Sequence, residues 1–501
     1  MKKAVHSLIF LMIAVLIFQL TACGSGNKEG AISSTEPSNS PSPSPDNTPA
    51  PVTLRVMDWS DSVKPLRDEF HKRFMEKYPH ITIEYTMLTV DQFKNTILTA
   101  VKSNEAPDLF PVPVGMKLAE AVQSEWFQPL DPFIDDAFKN IFVEGTFKNG
   151  TTMVGDQIYA IPESMALPSS LIFYNKKLFK EAGLDPENPP TTYQGFREAA
   201  KKITEAGKYY GMIEGGKQIN RWMITAQDWS SLGGSGLNSV SPLSLVTNKP
   251  TYDSKAVLDV FDLFKGLTKD GSMDPKTMSI SAPEARALFG QGQAGFLVQG
   301  PWCIGVWNKD NPDLDYGVMA PPLPDGGQQG SIPLTSSTPW IGLSAGSKHP
   351  EAAALYLQEY YGGDFFQQQK VASGDSFSVV KGINEQNLKA EQLKQYYDIS
   401  QKYGRLIPEP GIRNPETSKV FAEYKDVHPN LGELLSGVVA GAVNKEQEAL
   451  GKLSKQVETA WSSAIDAAIK NGAKVAANDF VFPNWDSMKN YTSDDYKALT
   501  K

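Results

Sequence analysis

Apolar segments and amphipathic segments alternate along the chain from residue 54 onwards. Predicted strands are short apolar or alternating runs, at 54–59, 81–85, 107–110, 170–174, 294–298 and 340–344. Predicted helices repeat apolar residues every three to four positions, at 63–77, 91–101, 193–206, 255–267 and 350–361. Strands that alternate with helices are typical of parallel α/β sheets, in which ligands bind near the carboxyl ends of the strands.

The C-terminal part of the chain is predicted to be mostly helical. A long amphipathic stretch covers 431–469 and is interrupted near 441–445. The chain has 501 residues, and about 449 remain once the first 52 are set aside as a signal and a tether. This length exceeds one ordinary hydrophobic core and predicts two large lobes.

Residues 1–22 have the features of a removable signal peptide. Lys2 and Lys3 precede an apolar run at 8–18, which is too short to cross a bilayer. The sequence that ends in Ala22-Cys23 resembles a bacterial lipobox, which predicts cleavage before Cys23 and attachment of lipid to its thiol. An uncleaved membrane anchor is the alternative. Residues 23–52 are rich in Ser and Pro, so we expect a disordered tether to the outer face of the cytoplasmic membrane, of the Gram-positive type.

Composition narrows the classes of partner. Acidic residues outnumber basic ones by 57 to 48, so the formal net charge is −9. Such a chain is a poor partner for nucleic acid and suits an uncharged or cationic ligand better than an anion. Hydrophobic residues at 41% and charged residues at 21% are close to globular averages. The two cysteines are Cys23 and Cys303, so no intrachain disulfide can form once Cys23 carries lipid.

Several short motifs follow one another in a characteristic order. They include Ala106-Pro107-Asp108-Leu109, Ala160-Ile161-Pro162, Tyr174-Asn175-Lys176, Gly300-Pro301-Trp302, Tyr316-Gly317-Val318 and Pro350-Glu351-Ala352. Together they make most of the chain from 54 to about 470 resemble the family 1 extracellular solute-binding proteins of ABC importers, the family of maltose-binding protein. The closing segment at 480–485 looks like the C-terminal tail of long Gram-positive members.

The resemblance implies a two-lobed α/β fold, a periplasmic-binding-protein-like clamshell of type II with a central sheet in each lobe. It places lobe 1 at 53–162 and 340–372, lobe 2 at 163–339 and 373–475, and a tail at 476–501. The implied function is capture of a carbohydrate, expected to be an oligosaccharide, in the interlobe cleft and its delivery to ABC permease subunits. A lipid-anchored sugar sensor that feeds a receptor kinase is the alternative. We expect a monomer.

Sugars present hydroxyl groups and flat apolar faces, so their sites combine carboxylates or amides with aromatic side chains. Trp302 matches a stacking tryptophan of the family, and packing in the interlobe core is the alternative. Trp59 and Asp61 follow the first strand, where the family places polar contacts. For Asp61 the alternative is the N-cap of the next helix.

Five further candidates for ligand binding come from the same resemblance. Arg221 and Trp222 precede a Gly-Gly turn where the family supplies aromatic contacts, and a place in the core of a lobe is the alternative. Trp340 lies at the return crossing between the lobes, where hinge packing is the alternative. Glu163 follows the first crossing, where a hinge role competes with ligand binding. Tyr424 falls near an aromatic contact of the C-terminal lobe.

Recognisable catalytic motifs are missing from the sequence. It holds five histidines but no H-E-x-x-H, no G-x-S-x-G and no P-loop motif. Cys303 lacks a cysteine partner and is expected to be a small buried hydrophobe. An extracellular glycoside hydrolase, which needs two suitably spaced carboxylates, is the least favoured alternative. We therefore expect a binding protein without enzymatic activity, cofactor or metal.

Overall fold

The computed structural model describes residues 50–335 and 338–499. The predicted signal peptide, Cys23 and most of the predicted tether therefore lie outside the described residues. The first strand begins at Val52, which is the last residue assigned to the tether. No helix within the described ranges is both long enough and apolar enough to cross a membrane.

Fourteen strands are assigned in the described ranges, and most are short. In chain order they are β1 (Val52–Asp58), β2 (Ile81–Met87), β3 (Leu109–Pro111), β4 (Phe127–Gln128), β5 (Met153–Val154), β6 (Gln157–Ile158), β7 (Ala160–Ile161), β8 (Ile172–Asn175), β9 (Tyr210–Ile213), β10 (Ala294–Val298), β11 (Tyr316–Met319), β12 (Ile332–Leu334), β13 (Ile341–Ser344) and β14 (Gly404–Leu406).

Nineteen α-helices are assigned in the same described ranges. In chain order they are α1 (Lys64–Lys77), α2 (Val90–Lys102), α3 (Leu118–Gln123), α4 (Asp136–Lys139), α5 (Lys176–Glu181), α6 (Tyr193–Glu205), α7 (Ile219–Leu232), α8 (Lys255–Lys269), α9 (Ala282–Gly290), α10 (Trp302–Asp310), α11 (Pro350–Gly362), α12 (Phe366–Ser373), α13 (Ile383–Asn387), α14 (Glu391–Tyr403), α15 (Pro410–Arg413), α16 (Ser418–Glu423), α17 (Leu431–Val439), α18 (Glu446–Lys470) and α19 (Ser493–Ala498).

The predicted interruption of the C-terminal amphipathic stretch is confirmed. Asn430 caps the start of α17 with a capping box. Its side chain accepts from the backbone N–H of Glu433, and the Glu433 carboxylate accepts from the backbone N–H of Asn430. The chain leaves this helix through Gly441, whose φ of +71° favours glycine. The helix α18 then starts afresh at Glu446.

The first sheet has the strand order β2-β1-β3-β13-β4, and β7 also pairs with β13. Strands β1, β2 and β3 are parallel, as predicted, but β13 runs antiparallel to β3, β4 and β7. The predicted parallel arrangement therefore holds for β1 to β3, and the sheet becomes mixed where β13 joins it. The strand β13 enters from a distant part of the chain, so no βαβ crossover fixes its direction.

The second sheet has the order β11-β8-β10-β9. Only β9 and β10 are parallel, while β8 runs antiparallel to both of its neighbours. Strand β10 reads Ala-Gly-Phe-Leu-Val and is buried throughout, as expected for a strand covered on both faces. Helices α6, α7, α8, α17 and α18 share a large core with this sheet.

We call each sheet, with the helices that pack on it, a lobe. The first lobe is built on β1 and its neighbours with α1 and α11, and the second lobe is built on β8 to β11. The chain passes to the second lobe between β7 and β8, returns between β11 and β13, and leaves again after α13, since Val380 still pairs with Phe142 of the first lobe. This is the two-lobed α/β arrangement that the sequence predicted.

Candidate ligand-binding site

The turn that follows β1 brings two of the candidate residues to the boundary between the lobes. Asp58, the last residue of the strand, accepts a hydrogen bond from the backbone N–H of Ser60 at 2.9 Å, which fixes the turn. The side chain of Asp61 then forms an ion pair with Arg286 of α9, in the second lobe. Helix α1 has Val63 at its N-cap and no side-chain cap, so the capping alternative for Asp61 is not realised.

Trp59 and Trp340 form an aromatic pair beside this turn. Their ring centroids lie 4.6 Å apart in an edge-to-face arrangement, and Trp59 makes a second edge contact with Phe93 at 4.7 Å. Both indoles are half-buried. Among the described residues, the indole N–H of Trp340 finds no acceptor. Buried donors in proteins usually have a hydrogen-bond partner, so this N–H is a group that can donate to a ligand oxygen.

Arg286 is a residue of the site that the sequence analysis missed. Its guanidinium is 10% exposed, and its carbonyl oxygen accepts from the indole N–H of Trp307 in α10 at 3.1 Å. Arg286 lies on a short helix, and no motif distinguishes it from the other arginines of the chain. Only the partner Asp61, 225 positions away in sequence, marks it as an interlobe residue.

Trp302 is the first residue of α10, and its ring position depends on the glycine before it. A Cβ added at Gly300 would lie 2.2 Å from the indole of Trp302. The ring therefore folds back over a backbone position that only glycine can occupy. Because the indole is half-buried, one part of it packs on the second lobe while another part stays accessible to a ligand.

Glu163 lies in a buried polar network rather than at an open surface. Its carboxylate accepts from the hydroxyl of Tyr360 at 2.7 Å and from the guanidinium of Arg67 at 3.1 Å. The ammonium of Lys370 donates to its carbonyl oxygen. Arg67 also pairs with Asp58, so the network connects the start of the first crossing with the turn after β1. This arrangement favours the hinge alternative.

Arg221 and Trp222 lie in the interior of the second lobe. Trp222 is 0% exposed, its indole N–H donates to the carbonyl of Gly216 at 2.9 Å, and its ring meets Phe264 edge-on. The guanidinium of Arg221 donates to the carbonyls of Ser169 at 2.6 Å and Val298 at 3.1 Å. The structure thus favours the core alternative for both side chains.

Tyr424 packs against α18, away from the turn after β1. Its ring meets Trp461 edge-on at 5.5 Å, and burial raises the pKa of its hydroxyl to about 12. Cys303 is wholly buried, as predicted, and burial raises the pKa of its thiol to about 12. Within the described ranges, no three His, Cys, Asp or Glu side chains are grouped as a metal site would need.

Glu214 beside Arg221 leads to a prediction about pH. Burial raises the pKa of Glu214 from 4.5 to about 7, and Arg221, with its Nε 4.0 Å away, opposes that rise. Between pH 4.5 and about 7, Glu214 loses its proton in the unfolded chain but keeps it in the folded chain. The free energy of unfolding should therefore fall as the pH rises through this range. Urea unfolding from pH 4.5 to 7.5 should show a flatter profile in Glu214→Gln than in the wild type. Parallel profiles would contradict the assignment.

The structure therefore separates the candidates into two groups. Trp59, Asp61 and Trp340 lie together at the lobe boundary, and Arg286 links them to the helix that Trp302 begins. The other candidates are held by contacts within the protein. These place Arg221 and Trp222 in the core of the second lobe, Glu163 in the network with Arg67, and Tyr424 against α18. What distinguishes the first group is a carboxylate, a guanidinium and half-buried indoles contributed by both lobes.

Comparison with known proteins gives the family. Residues 59–363 match the bacterial extracellular solute-binding proteins. The sn-glycerol-3-phosphate-binding periplasmic protein UgpB of Agrobacterium fabrum is 28% identical over 320 residues, which cover 61% of this chain and 66% of that protein.

Two solved structures share the fold. A solute-binding protein of Thermotoga lettingae with bound α-D-tagatose has a TM-score of 0.62 at 19% identity, covering 82% of this chain and 100% of that chain. Maltose-bound MalE3 of T. maritima has a TM-score of 0.63 at 18% identity, covering 81% of this chain and 99% of that chain. With more than half of its length matched, this chain belongs to the family of bacterial extracellular solute-binding proteins.

Proposed function

We propose that the protein binds a neutral carbohydrate reversibly at the lobe boundary, between the Trp59 and Trp340 pair and the start of α10. The observation that carries the proposal is the ion pair between Asp61 and Arg286, which joins the two lobes beside half-buried indoles. The carboxylate accepts and the guanidinium donates, so together they match the alternating donors and acceptors of adjacent sugar hydroxyls. The indoles offer flat apolar surface for the C–H faces of the ring.

The composition of this site explains how binding would favour a closed form. A ligand shifts a two-state equilibrium only through contacts that differ between the states. Asp61 comes from the first lobe and Arg286 from the second, so a sugar that contacts both residues gains its full binding free energy only when the lobes meet. Hinge closure around a ligand is a common transition of two-lobed binding proteins.

The ligands of similar proteins support a polyhydroxylated solute. Tagatose and maltose are the ligands named for the two structures described above, and glycerol 3-phosphate is named for UgpB. The acidic charge of this chain disfavours an anion, and Arg286 is already neutralised by Asp61. We therefore propose a sugar, with an oligosaccharide as the preferred class, over a phosphorylated polyol.

The remaining parts of the proposal concern the setting of the protein. We propose that it hands its ligand to an ABC permease and that lipid on Cys23 tethers it to the membrane. We keep the lobe boundaries predicted from the sequence, with residues 163 and 340 at the first two crossings. The second candidate is a sensor that signals to a receptor kinase. Uptake of the bound sugar by cells with and without an ABC permease would separate the two functions.

A thermal-shift screen of the folded body tests the binding proposal. Neutral mono- and oligosaccharides, glycerol 3-phosphate and peptides would be added to the purified chain that lacks residues 1–48. A sugar at about a hundred times its dissociation constant should stabilise the protein by about 2.7 kcal/mol. Stabilisation by glycerol 3-phosphate alone, or by peptides alone, would refute the carbohydrate proposal. Reducing-end assays on the same panel should detect no hydrolysis.

A further inference from the structure

The chain after α18 docks on the second lobe through backbone and aromatic contacts. The N–H of Phe482 donates to the carbonyl of Leu245 at 2.6 Å, and the N–H of Tyr491 donates to the carbonyl of Leu406 at 2.8 Å. Arg405 donates to the carbonyl of Met488 at 2.9 Å. The rings of Phe482 and Tyr491 are buried. The tail therefore extends the surface of the lobe with a fixed geometry.

A cavity of about 360 Å³ lies where the tail meets two loops. One loop comes from the first lobe and the other follows β14 in the second lobe. The polar and aromatic residues that give the cavity its chemistry are Lys148, Asn149, Glu409, Tyr491, Ser493 and Tyr496. Small-molecule sites in proteins usually enclose about 300–1,000 Å³, so this volume suits one compact ligand unit.

The aromatic wall of the cavity is rigid. Tyr491 and Tyr496 meet edge to face, with centroids 4.8 Å apart and an interplanar angle of 88°. The hydroxyl of Tyr491 donates to the side chain of Asn484 at 2.9 Å, and the hydroxyl of Tyr496 accepts from the backbone N–H of Glu409 at 2.7 Å. Both rings are thus held before any ligand arrives, which lowers the entropic cost of binding.

The polar wall is built from Lys148, Asn149, Glu409 and Ser493. Glu409 is only 4% exposed yet lines the cavity, and Asn149 and Ser493 add groups that both donate and accept hydrogen bonds. Acceptors and donors beside aromatic faces suit a hydroxylated ring better than an apolar or a cationic ligand.

The cavity also spans the two lobes. At its edge the loops touch backbone to backbone, since a Cβ added at Gly150 would lie 2.9 Å from the Cα of Gly411. A ligand that contacts Asn149 and Glu409 therefore contacts both lobes at once. Its binding would hold the two loops together.

We propose that this cavity is a second carbohydrate site, which binds one hexose-sized unit and to which the C-terminal tail contributes an aromatic wall. The inference rests on the proposed function, because it assigns the same ligand class to a different place. The unit is either the terminal residue of an oligosaccharide that extends from the lobe boundary or a free monosaccharide.

The test fills the cavity and measures binding by calorimetry. Ser493→Trp places an indole at the cavity wall, and Asp494→Trp adds the same bulk to the same helix at a side chain that is 88% exposed and does not line the cavity. Glucose, xylose and mannose, with their linear oligosaccharides up to hexasaccharides, serve as probes. Melting temperatures of both variants report whether the tail remains docked.

Two results would support the proposal, and they differ according to whether the bound unit is the end of an oligosaccharide or a free monosaccharide. If the unit is the end of an oligosaccharide, Ser493→Trp should lower the affinity for long oligosaccharides by at least about tenfold. The affinity for the shortest bound sugar should not change. For a free monosaccharide, the wild type should bind two equivalents and Ser493→Trp one. In either case Asp494→Trp should bind as the wild type does.

Two results would overturn the proposal. If the wild type binds sugars and Ser493→Trp binds all of them with unchanged affinity and stoichiometry, the second site fails while the proposed function stands. If the wild type binds none of the probes, both fail together. Glu409→Gln, which keeps the shape of the side chain, should reproduce the direction of the Ser493→Trp effect if the cavity holds sugar.

Discussion

Replacing Arg67 with methionine should lower the free energy of unfolding by about 3–5 kcal/mol, because it leaves the buried carboxylate of Asp58 without its charged partner. Arg67 is 1% exposed and pairs with Asp58 and Glu163. Methionine matches the aliphatic length of arginine but supplies no donors. Urea unfolding followed by tryptophan fluorescence measures the loss.

The same helix supplies the control. Arg73 pairs with Glu69 at 2.8 Å, with side chains 54% and 41% exposed, and its guanidinium lies 4.1 Å from the ring centroid of Phe365. Arg73→Met should therefore cost no more than about 1 kcal/mol. Equal losses for the two variants would contradict the assignment of a buried network to Asp58, Arg67 and Glu163.

Replacing Trp222 with alanine should also destabilise the protein by about 3–5 kcal/mol, since it empties a fully buried site in the second lobe. The affinity of the folded protein for its sugar should stay unchanged, because the indole contacts Gly216 and Phe264 rather than the lobe boundary. Chemical denaturation and calorimetry below the melting transition give the two quantities separately.

Trp302→Ala should show the opposite pattern. Its half-buried indole contributes less to the core. Loss of a ligand contact of this size should cost about 1.5–3 kcal/mol of binding, which is about a 10–150-fold weaker affinity. If Trp222→Ala weakens binding and Trp302→Ala does not, the division between core and site is reversed.

Local patterns predicted the fold well where a single element decides the outcome. The predicted strand at 294–298 coincides with β10, and the break near 441–445 separates α17 from α18. The direction of a strand within its sheet could not be predicted from local patterns. Whether β13 runs parallel or antiparallel depends on where the chain re-enters the first sheet, after it has built the second.

The site was only partly predictable for a related reason. A tryptophan at a lobe surface and a tryptophan in a core look alike in sequence, and Trp222 is assigned to the core only by residues as distant as Phe264. Arg286 gave no local signal, since its role follows from Asp61, which lies far away in the chain. Pairs that form across lobes are a property of the tertiary fold.

The position of β13 has a consequence for how the protein acquires its structure. This strand is central to the first sheet and pairs with β3, β4 and β7, yet it follows all four strands of the second sheet in the chain. A chain that emerges from its N-terminus cannot complete the first sheet until residue 344 is available. Until then the edge of β3 that pairs with β13 stays exposed. An unpaired strand edge of this kind is prone to aggregation and is a binding site for a chaperone that holds unfolded chains.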